Sequence, residues 1–376
     1  MVRWHLLTGE YPPHPGGVSD YTALVARELA RRGQQVHVWA PGDAAGTLEE
    51  DGVTVHRFPG LFTPLGLARL TRELERVPGP RRLLLQYVPH AFGMKAMNVP
   101  LCAWFASRRQ DERWVFFHEI VYPWSLSSPP RHQVLAGITR VMARLVSGAA
   151  DRLFVSIPAW REHLPPRSRA LAEWCPIPSN LPTEVSPSKL EETLASLGEG
   201  PWLGHFGTHG PHITRPLEKV LPPLLRVDRQ RKALLLGRGS RQFVAELAER
   251  YPDIASRLHA RDDLAAEDVA AHLSAMALLL QPYPDGVSTR RTSVMAGLAL
   301  GRPIITHTGH LTEPLWAESG AVILVKHGAP DAVIAAAERI LGHPEESLAL
   351  GTRAERLYQE RFALEHTIET LLRPSA

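Results

Sequence analysis

Short, nearly continuous apolar runs alternate with amphipathic stretches along this chain, and the alternation occurs twice. In the first half VRWHLLT (2–8), QVHVWAP (35–41), VTVHRF (53–58), RLLLQYV (82–88), WVFFHE (114–119) and RLFVSI (152–157) read as strands. Runs of this kind suit a parallel sheet covered on both faces. Between the first two, Val18, Tyr21, Val25 and Leu29 share one helical face, and Gly33 follows as a stop. The second half repeats the theme with WLGHF (202–206), KALLLG (232–237), LLLQPY (278–283), RPIITH (302–307) and AVILVK (321–326). Helical stretches fall near 215–229, 240–250, 265–275, 292–300 and 330–341. Between the halves, CPIPSNLPTEVSPSK (175–189) holds four prolines and three serines and reads as an extended linker. Strands alternating with helices build right-handed βαβ units. The expected fold is α/β, two Rossmann-like doubly wound domains facing a central cleft, with ligands at the carboxyl ends of the strands.

A chain of 376 residues matches two domains of ordinary size, and 44% hydrophobic with 22% charged residues is enough for two cores. No apolar run is long enough to span a membrane, and the opening residues lack a signal-peptide pattern. Two distant cysteines, Cys102 and Cys175, argue against a disulfide framework and for a cytoplasmic setting. Net charge is +3 with a pI near 9.0, carried by scattered arginines. No basic stripe interleaved with aromatics marks a nucleic-acid binder, while weak attraction to an anionic membrane surface is compatible with the pI.

Four groups of residues carry candidate chemistry. Gly16-Gly17 stands between the first strand and an amphipathic helix, where backbone and helix dipole can approach an anion. PYPDGVSTRRTSVMAGLALGRP (282–303) ends a strand in a loop of small and hydroxylated residues before a helix near Thr292-Ser293. Asp285, Gly286, Ser288, Thr289, Arg290, Arg291, Thr292 and Ser293 are its candidate ligand groups. Two arginines at a helix N-terminus are electrostatically unfavourable without a counterion, so an anion is expected there. Gly207, in HFGTHG, and Gly237-Arg238, in LLLGRGS, are the strand-end loops expected to complete a diphosphate pocket. His118-Glu119 closes the strand WVFFHE as a candidate acid–base or hydroxyl-binding pair.

Taken together, these motifs resemble family-4 glycosyltransferases and their relatives of the GT-B fold, over nearly the whole chain. YPPHPGGVSDY resembles the family's first loop and helix start, PIPSNLP its interdomain segment, HFGTHG the opening of the donor domain, and YQERFALEHTIETLL its returning C-terminal helices. The resemblance implies an acceptor-side domain at 1–180, a nucleotide-sugar donor domain at 181–355, and helices 356–376 crossing back. It implies transfer from a nucleotide-diphosphate sugar, retaining and metal-independent, with no cofactor beyond that donor. Gly17 would touch the diphosphate, His118 the transferred sugar, and Asp20 or Glu119 the acceptor hydroxyl. Arg215 would stand for one of the family's paired basic residues. The family's E-x7-E signature departs here: Asp285 stands for the first glutamate and Ala296 occupies the second position.

A nucleotide-sugar 2-epimerase shares the fold but needs further carboxylates on the sugar, and a non-catalytic ligand-binding protein is the non-enzyme alternative. A dehydrogenase is disfavoured, because no G-x-G-x-x-G follows the first strand. Phe62, Leu65, Phe92, Met94 and Met97 lie in Pro- and Gly-punctuated segments of the first half, which suggests an adaptable surface for a lipid-linked or hydrophobic acceptor and for peripheral contact with the inner membrane face.

Overall fold

The computed structural model describes residues 2–125 and 129–374. The chain divides into two compact units, Met1–Pro176 with Leu364–Ala376, and Ile177–Ala363. The first contains strands β1 Arg3–Leu7, β2 Val36–Pro41, β3 Gly46–Glu50, β4 Val53–Phe58, β5 Arg81–Tyr87, β6 Glu112–Phe117, β7 Arg152–Val155 and β8 Ala172–Trp174. They form one sheet in the order β3-β4-β2-β1-β5-β6-β7-β8, parallel except where β3 meets β4. The second contains β9 Trp202–Phe206, β10 Lys232–Leu236, β11 Leu258–Arg261, β12 Leu278–Gln281, β13 Ile304–Thr308 and β14 Ile323–Lys326. Their order is β11-β10-β9-β12-β13-β14, and the paired neighbours run parallel.

The continuous apolar runs have the expected cause, burial of both sheet faces. In the second sheet Leu234, Leu236, Leu279 and Ile304 feed one core cluster, while Leu203, Leu235, Leu278, Leu280 and Ile305 feed another. Period-two alternation thus delivers apolar side chains to both sides.

Strands β3, β8 and β11 were not expected. β3 is GTLEE, exposed throughout, and owes its place to a tight turn at Asp51-Gly52, both with positive φ, that folds it onto β4. The helix Pro211–Val227 begins four residues before the expected 215 and contains Pro216, Pro222 and Pro223. Its stripe of Leu217, Val220, Leu221, Leu224 and Leu225 is buried, and that packing overrides the poor helix propensity of proline.

The expected linker is shorter than 175–189, because Pro187–Leu197 is a helix capped by Ser186, whose hydroxyl accepts from the Lys189 amide at 3.3 Å. Leu357, Tyr358 and Phe362 belong to the second unit's core, so the segment that joins the first unit starts at Leu364.

In each sheet the strand that opens the unit lies inside, β1 between β2 and β5, and β9 between β10 and β12. Chain progression reverses at these two places, and a reversal leaves a crevice at the carboxyl ends of the flanking strands. The candidate loops fall there.

Candidate functional site

At the second switch point, Gly207 ends β9 with φ +148° and Gly237 ends β10 with φ +103°, backbone conformations that side chains disfavour. A Cβ on Gly237 would lie 2.4 Å from the Gly207 carbonyl oxygen, so the two loops close on each other only as glycines. The Gly207 amide donates to Leu236 O (3.0 Å) and the His209 amide to Arg238 O (2.9 Å). Arg238 itself is exposed. On its other side Gly207 faces the start of the helix Thr292–Ala299: a Cβ there would stand 3.7 Å from His205 Nε2 and 3.9 Å from Ser293 Oγ.

His205 was missed by the sequence reading. Its Nδ1 lies 2.8 Å from Leu280 O, and a carbonyl only accepts, so Nδ1 carries the proton. Nε2 then presents a buried lone pair without a partner. Burial pushes the ring's pKa down to about 3, with a contribution from His209, and keeps it neutral.

Residues 282–291 follow β12 and are pinned to the end of β13. Val287 N–H donates to His307 O (2.8 Å) and Leu311 N–H to Asp285 O (3.0 Å). Gly286, with φ +88°, sits so close to Gly309 that a Cβ would lie 2.2 Å from its nitrogen. Asp285 accepts from both Arg290 and Arg291 at 3.0 Å. The expectation of an uncompensated arginine pair is thereby corrected, since the loop carries its own counterion. Arg291 also lies 4.8 Å over the Tyr283 ring, and the Tyr283 hydroxyl is 2.7 Å from Ser293 Oγ. Ser288 is fully buried, and its hydroxyl lacks a partner.

Thr289 does not serve as expected. Its N–H and hydroxyl both donate to Glu313, at 3.0 and 2.6 Å, and Glu313 is held in turn by Trp316 Nε1 at 2.7 Å. Thr289 ties the loop to the fold, which occupies the donors that a ligand would use.

At the first switch point the loop after β1 runs from Thr8 to Gly16. Glu10 Oε1 accepts from the Val18 and Ser19 amides, each at 3.2 Å, at the start of the helix Gly17–Arg31. A Cβ on Gly16 would stand 2.3 Å from that oxygen. Gly16 therefore makes room for an internal carboxylate, which corrects its assignment as a ligand contact, whereas nothing lies within 4 Å of the Cβ position of Gly17. Gly9 abuts Ala91 after β5, with a Cβ-to-oxygen distance of 2.4 Å, and so joins the two loops that flank the switch point.

His118 follows β6. Its Nε2 is 2.8 Å from Gln86 Oε1, which only accepts, so Nδ1 offers the lone pair. Tyr21, the neighbour of Asp20 in the first helix turn, packs edge-on to His118 at 4.8 Å, and Phe116 stacks at 4.7 Å. Burial alone pushes this ring down to about 3. Glu119 instead approaches His90 Nδ1 at 3.5 Å. His118 and Glu119 are thus not a coupled pair, because adjacent residues of an extended segment point apart.

Arg215 borders a cavity of about 240 Å³ together with Lys219, His307, His327 and Pro284 of the loop after β12. One further expectation changes. Phe62 and Phe92 are core residues, packed edge-to-face at 4.9 Å, whereas Leu65 and Met94 are exposed.

Residues 16–178 match the glycosyl transferase 4-like domain family. The N-terminal unit is such a domain. No curated protein matches the chain by sequence. Among solved structures, sucrose-phosphate synthase from Thermosynechococcus elongatus is similar at 16% identity, covering 99% of this chain and 97% of that one, with a TM-score of 0.74. HepE of Anabaena, in complex with UDP and glucose, is similar at 16% identity over 99% and 98%, with a TM-score of 0.72. WaaG, a glycosyltransferase involved in lipopolysaccharide biosynthesis, is similar at 15% identity over 99% and 100%, with a TM-score of 0.69. At such identities the likeness establishes the fold, GT-B across the whole length. Family and fold together make this chain a glycosyltransferase.

Proposed function

We propose that this glycosyltransferase takes its sugar from a nucleotide-diphosphate donor held at the edge of the second sheet, and transfers it without a metal and with retention of anomeric configuration. The observation that carries this reading is the arginine pair gathered around Asp285 at the N-terminus of Thr292–Ala299. Negative charge builds on a leaving diphosphate during glycosyl transfer, and preorganised donors lower the barrier by stabilising it. Arg290, Arg291, the first amides of that helix and the Ser293 hydroxyl supply such donors. The Gly207–Gly237 contact lets backbone come close to the ligand, and His205 Nε2 accepts from a donor hydroxyl. The ligands in the HepE structures, UDP with glucose and UDP-glucose, support a nucleotide-sugar donor. His118 Nδ1 accepts from a hydroxyl of the transferred sugar, and Asp20 or Glu119 orients the acceptor.

For the acceptor we retain a hydrophobic or lipid-linked molecule, with the enzyme in the cytoplasm and in peripheral contact with the inner membrane face. Met94, Lys95 and Ala96 all have positive φ beside the exposed Met94 side chain, a strain that clusters at binding sites. The helix Pro130–Ala149 has no acidic residue and exposes Val134, Val141 and Leu145 beside Arg131 and Arg144. No helix among the described residues is long and apolar enough to cross a membrane.

Calorimetry on the variant with both Arg290→Ala and Arg291→Ala tests the donor site. Each lost charge-assisted contact is worth roughly 1.5–3 kcal/mol, so nucleoside diphosphate affinity should fall at least about tenfold. Undiminished binding refutes the site. Donor turnover should also survive excess EDTA, and loss that Mg²⁺ or Mn²⁺ restores refutes metal independence.

A further inference from the structure

The cavity that borders Arg215 is a second basic site, and none of the diphosphate-binding groups line it. Arg215 and Lys219 stand four residues apart on the solvent side of Pro211–Val227, so both side chains project over the same turn. Neither makes a hydrogen bond or ion pair with any described residue, in contrast to Arg290 and Arg291. The cavity wall opposite comes from the ends of β13 and β14, where His307 Nδ1 and His327 Nδ1 lie 3.2 Å apart. His307 is buried and held neutral, its pKa pushed down to about 4 by burial and by His327. The fixed charge is therefore that of the two cations. No carboxylate is among the described lining residues; of the three that adjoin the lining along the chain, Glu218 is held by Arg250 and Tyr251, Asp285 by Arg290 and Arg291, and Asp331 lies in an exposed first helical turn.

A buried amide lies behind this wall. Gln281, the last residue of β12, has no solvent exposure, and neither its side-chain oxygen nor its nitrogen has a partner among the described residues. It lines a small void of about 20 Å³ whose Pro216, Val220, His307 and Val333 also line the larger cavity. A buried amide left unsatisfied on both atoms costs free energy that a polar ligand can recover. Exposed cations with a buried amide and the buried His307 imidazole behind them match a molecule that is anionic at one end and hydroxylated at the other. The remaining walls are His212 with proline, valine, glycine and alanine, and no phenylalanine, tyrosine or tryptophan is among the described lining residues.

We propose that this cavity binds a small phosphate monoester of a sugar or polyol, its phosphate on Arg215 and Lys219 and its hydroxyls toward Gln281 and the histidine pair. The site is occupied independently of the nucleoside diphosphate. A phosphate suits the two cations better than a carboxylate because it presents more charge and three acceptor oxygens.

The test is calorimetry on the full chain with glucose 6-phosphate, inorganic phosphate, glucose and UDP, for wild type, Lys219→Ala and Gln281→Leu. Glucose 6-phosphate should bind wild type, and bind about tenfold more weakly in each variant. Inorganic phosphate, which lacks the hydroxylated end, should be weakened by Lys219→Ala alone, and glucose should not bind measurably. Binding of glucose 6-phosphate should persist at saturating UDP and in the Arg290/Arg291 double variant. Absence of binding by both phosphates, or equal affinity in Lys219→Ala, overturns the site. Displacement by UDP also overturns it, by assigning these cations to the donor. Loss of UDP binding in the arginine double variant is a separate readout, so the two sites stand or fall independently.

Discussion

At the edge of the first sheet, Glu10 reaches across the N-terminus of Gly17–Arg31 and accepts from two of its amides. At the edge of the second, Arg290 and Arg291 stand at the N-terminus of Thr292–Ala299 and share the single carboxylate of Asp285. Both edges are built from a strand, a glycine-bearing loop and a helix start. One has its positive helix end covered by an internal anion, and the other gathers two arginines there around one aspartate. Attraction for a diphosphate is therefore set less by the helix N-terminus than by the carboxylates that the loops fold back onto it.

The edges agree in one respect, which yields the largest expected effect. His118 at the first and His205 at the second are both kept neutral by burial, with pKa values near 3. His5, His56 and His307 are likewise pushed down, to about 2, 4 and 4, burial being the first cause in each. A depressed histidine binds its proton only on unfolding, so its stabilising contribution is complete above about pH 6.5 and is lost as pH falls toward the folded value. Each of the five should remove up to about 1.4 kcal/mol per pH unit in that window. Urea unfolding at pH 7.5, 6.5 and 5.5 should show a steep acid loss with proton uptake, and a flat profile contradicts the buried neutral rings.

Next in size is Asp285→Asn. Loss of the shared carboxylate leaves two guanidiniums at a positive helix end, and stability should fall by roughly 1–3 kcal/mol. A nucleoside diphosphate should then restore more of the melting temperature than it adds to wild type. Equal thermal shifts in the two proteins would show that the arginines do not face the ligand. The smallest effect belongs to Glu10. Glu10→Ala should cost about 1 kcal/mol as a lost helix cap, while Glu10→Gln should keep most of that stability and remove the negative charge. If Glu10 is what makes the first edge unattractive to anions, nucleoside diphosphate affinity should rise slightly in Glu10→Gln. A fall would show that the carboxylate positions Gly17 for the donor.

Much of this arrangement was legible beforehand, for local reasons. Apolar runs such as RLLLQYV and KALLLG are long and two-sided, so they identify buried parallel strands without tertiary information. Gly207, Gly237 and Gly286 could be singled out because glycine at a strand end costs stability unless the backbone needs it, and all three have positive φ. Strands without such a pattern stayed hidden: β3 is fully exposed, and β8 and β11 are only three and four residues long. His205 and Gln281 were passed over because each sits inside an apolar strand, where nothing local marks a polar side chain as unsatisfied.

What the sequence determined by itself was therefore the periodic part: two α/β units, their strand-end loops, and the residues delivered to each sheet edge. Tertiary structure alone decided which of those residues are spent on the fold. Thr289 is claimed by Glu313, 24 positions away, Phe62 by Phe92, and the amides of Val18 and Ser19 by Glu10. Arg215 and Lys219, by contrast, have no hydrogen-bond or ion-pair partner among the described residues, and lie beside the ends of β13 and β14, far along the chain. Hydrophobic periodicity is a property of neighbours in sequence, and so it can be read directly. Charge compensation and hydrogen-bond satisfaction depend on partners that only folding brings within about 3 Å.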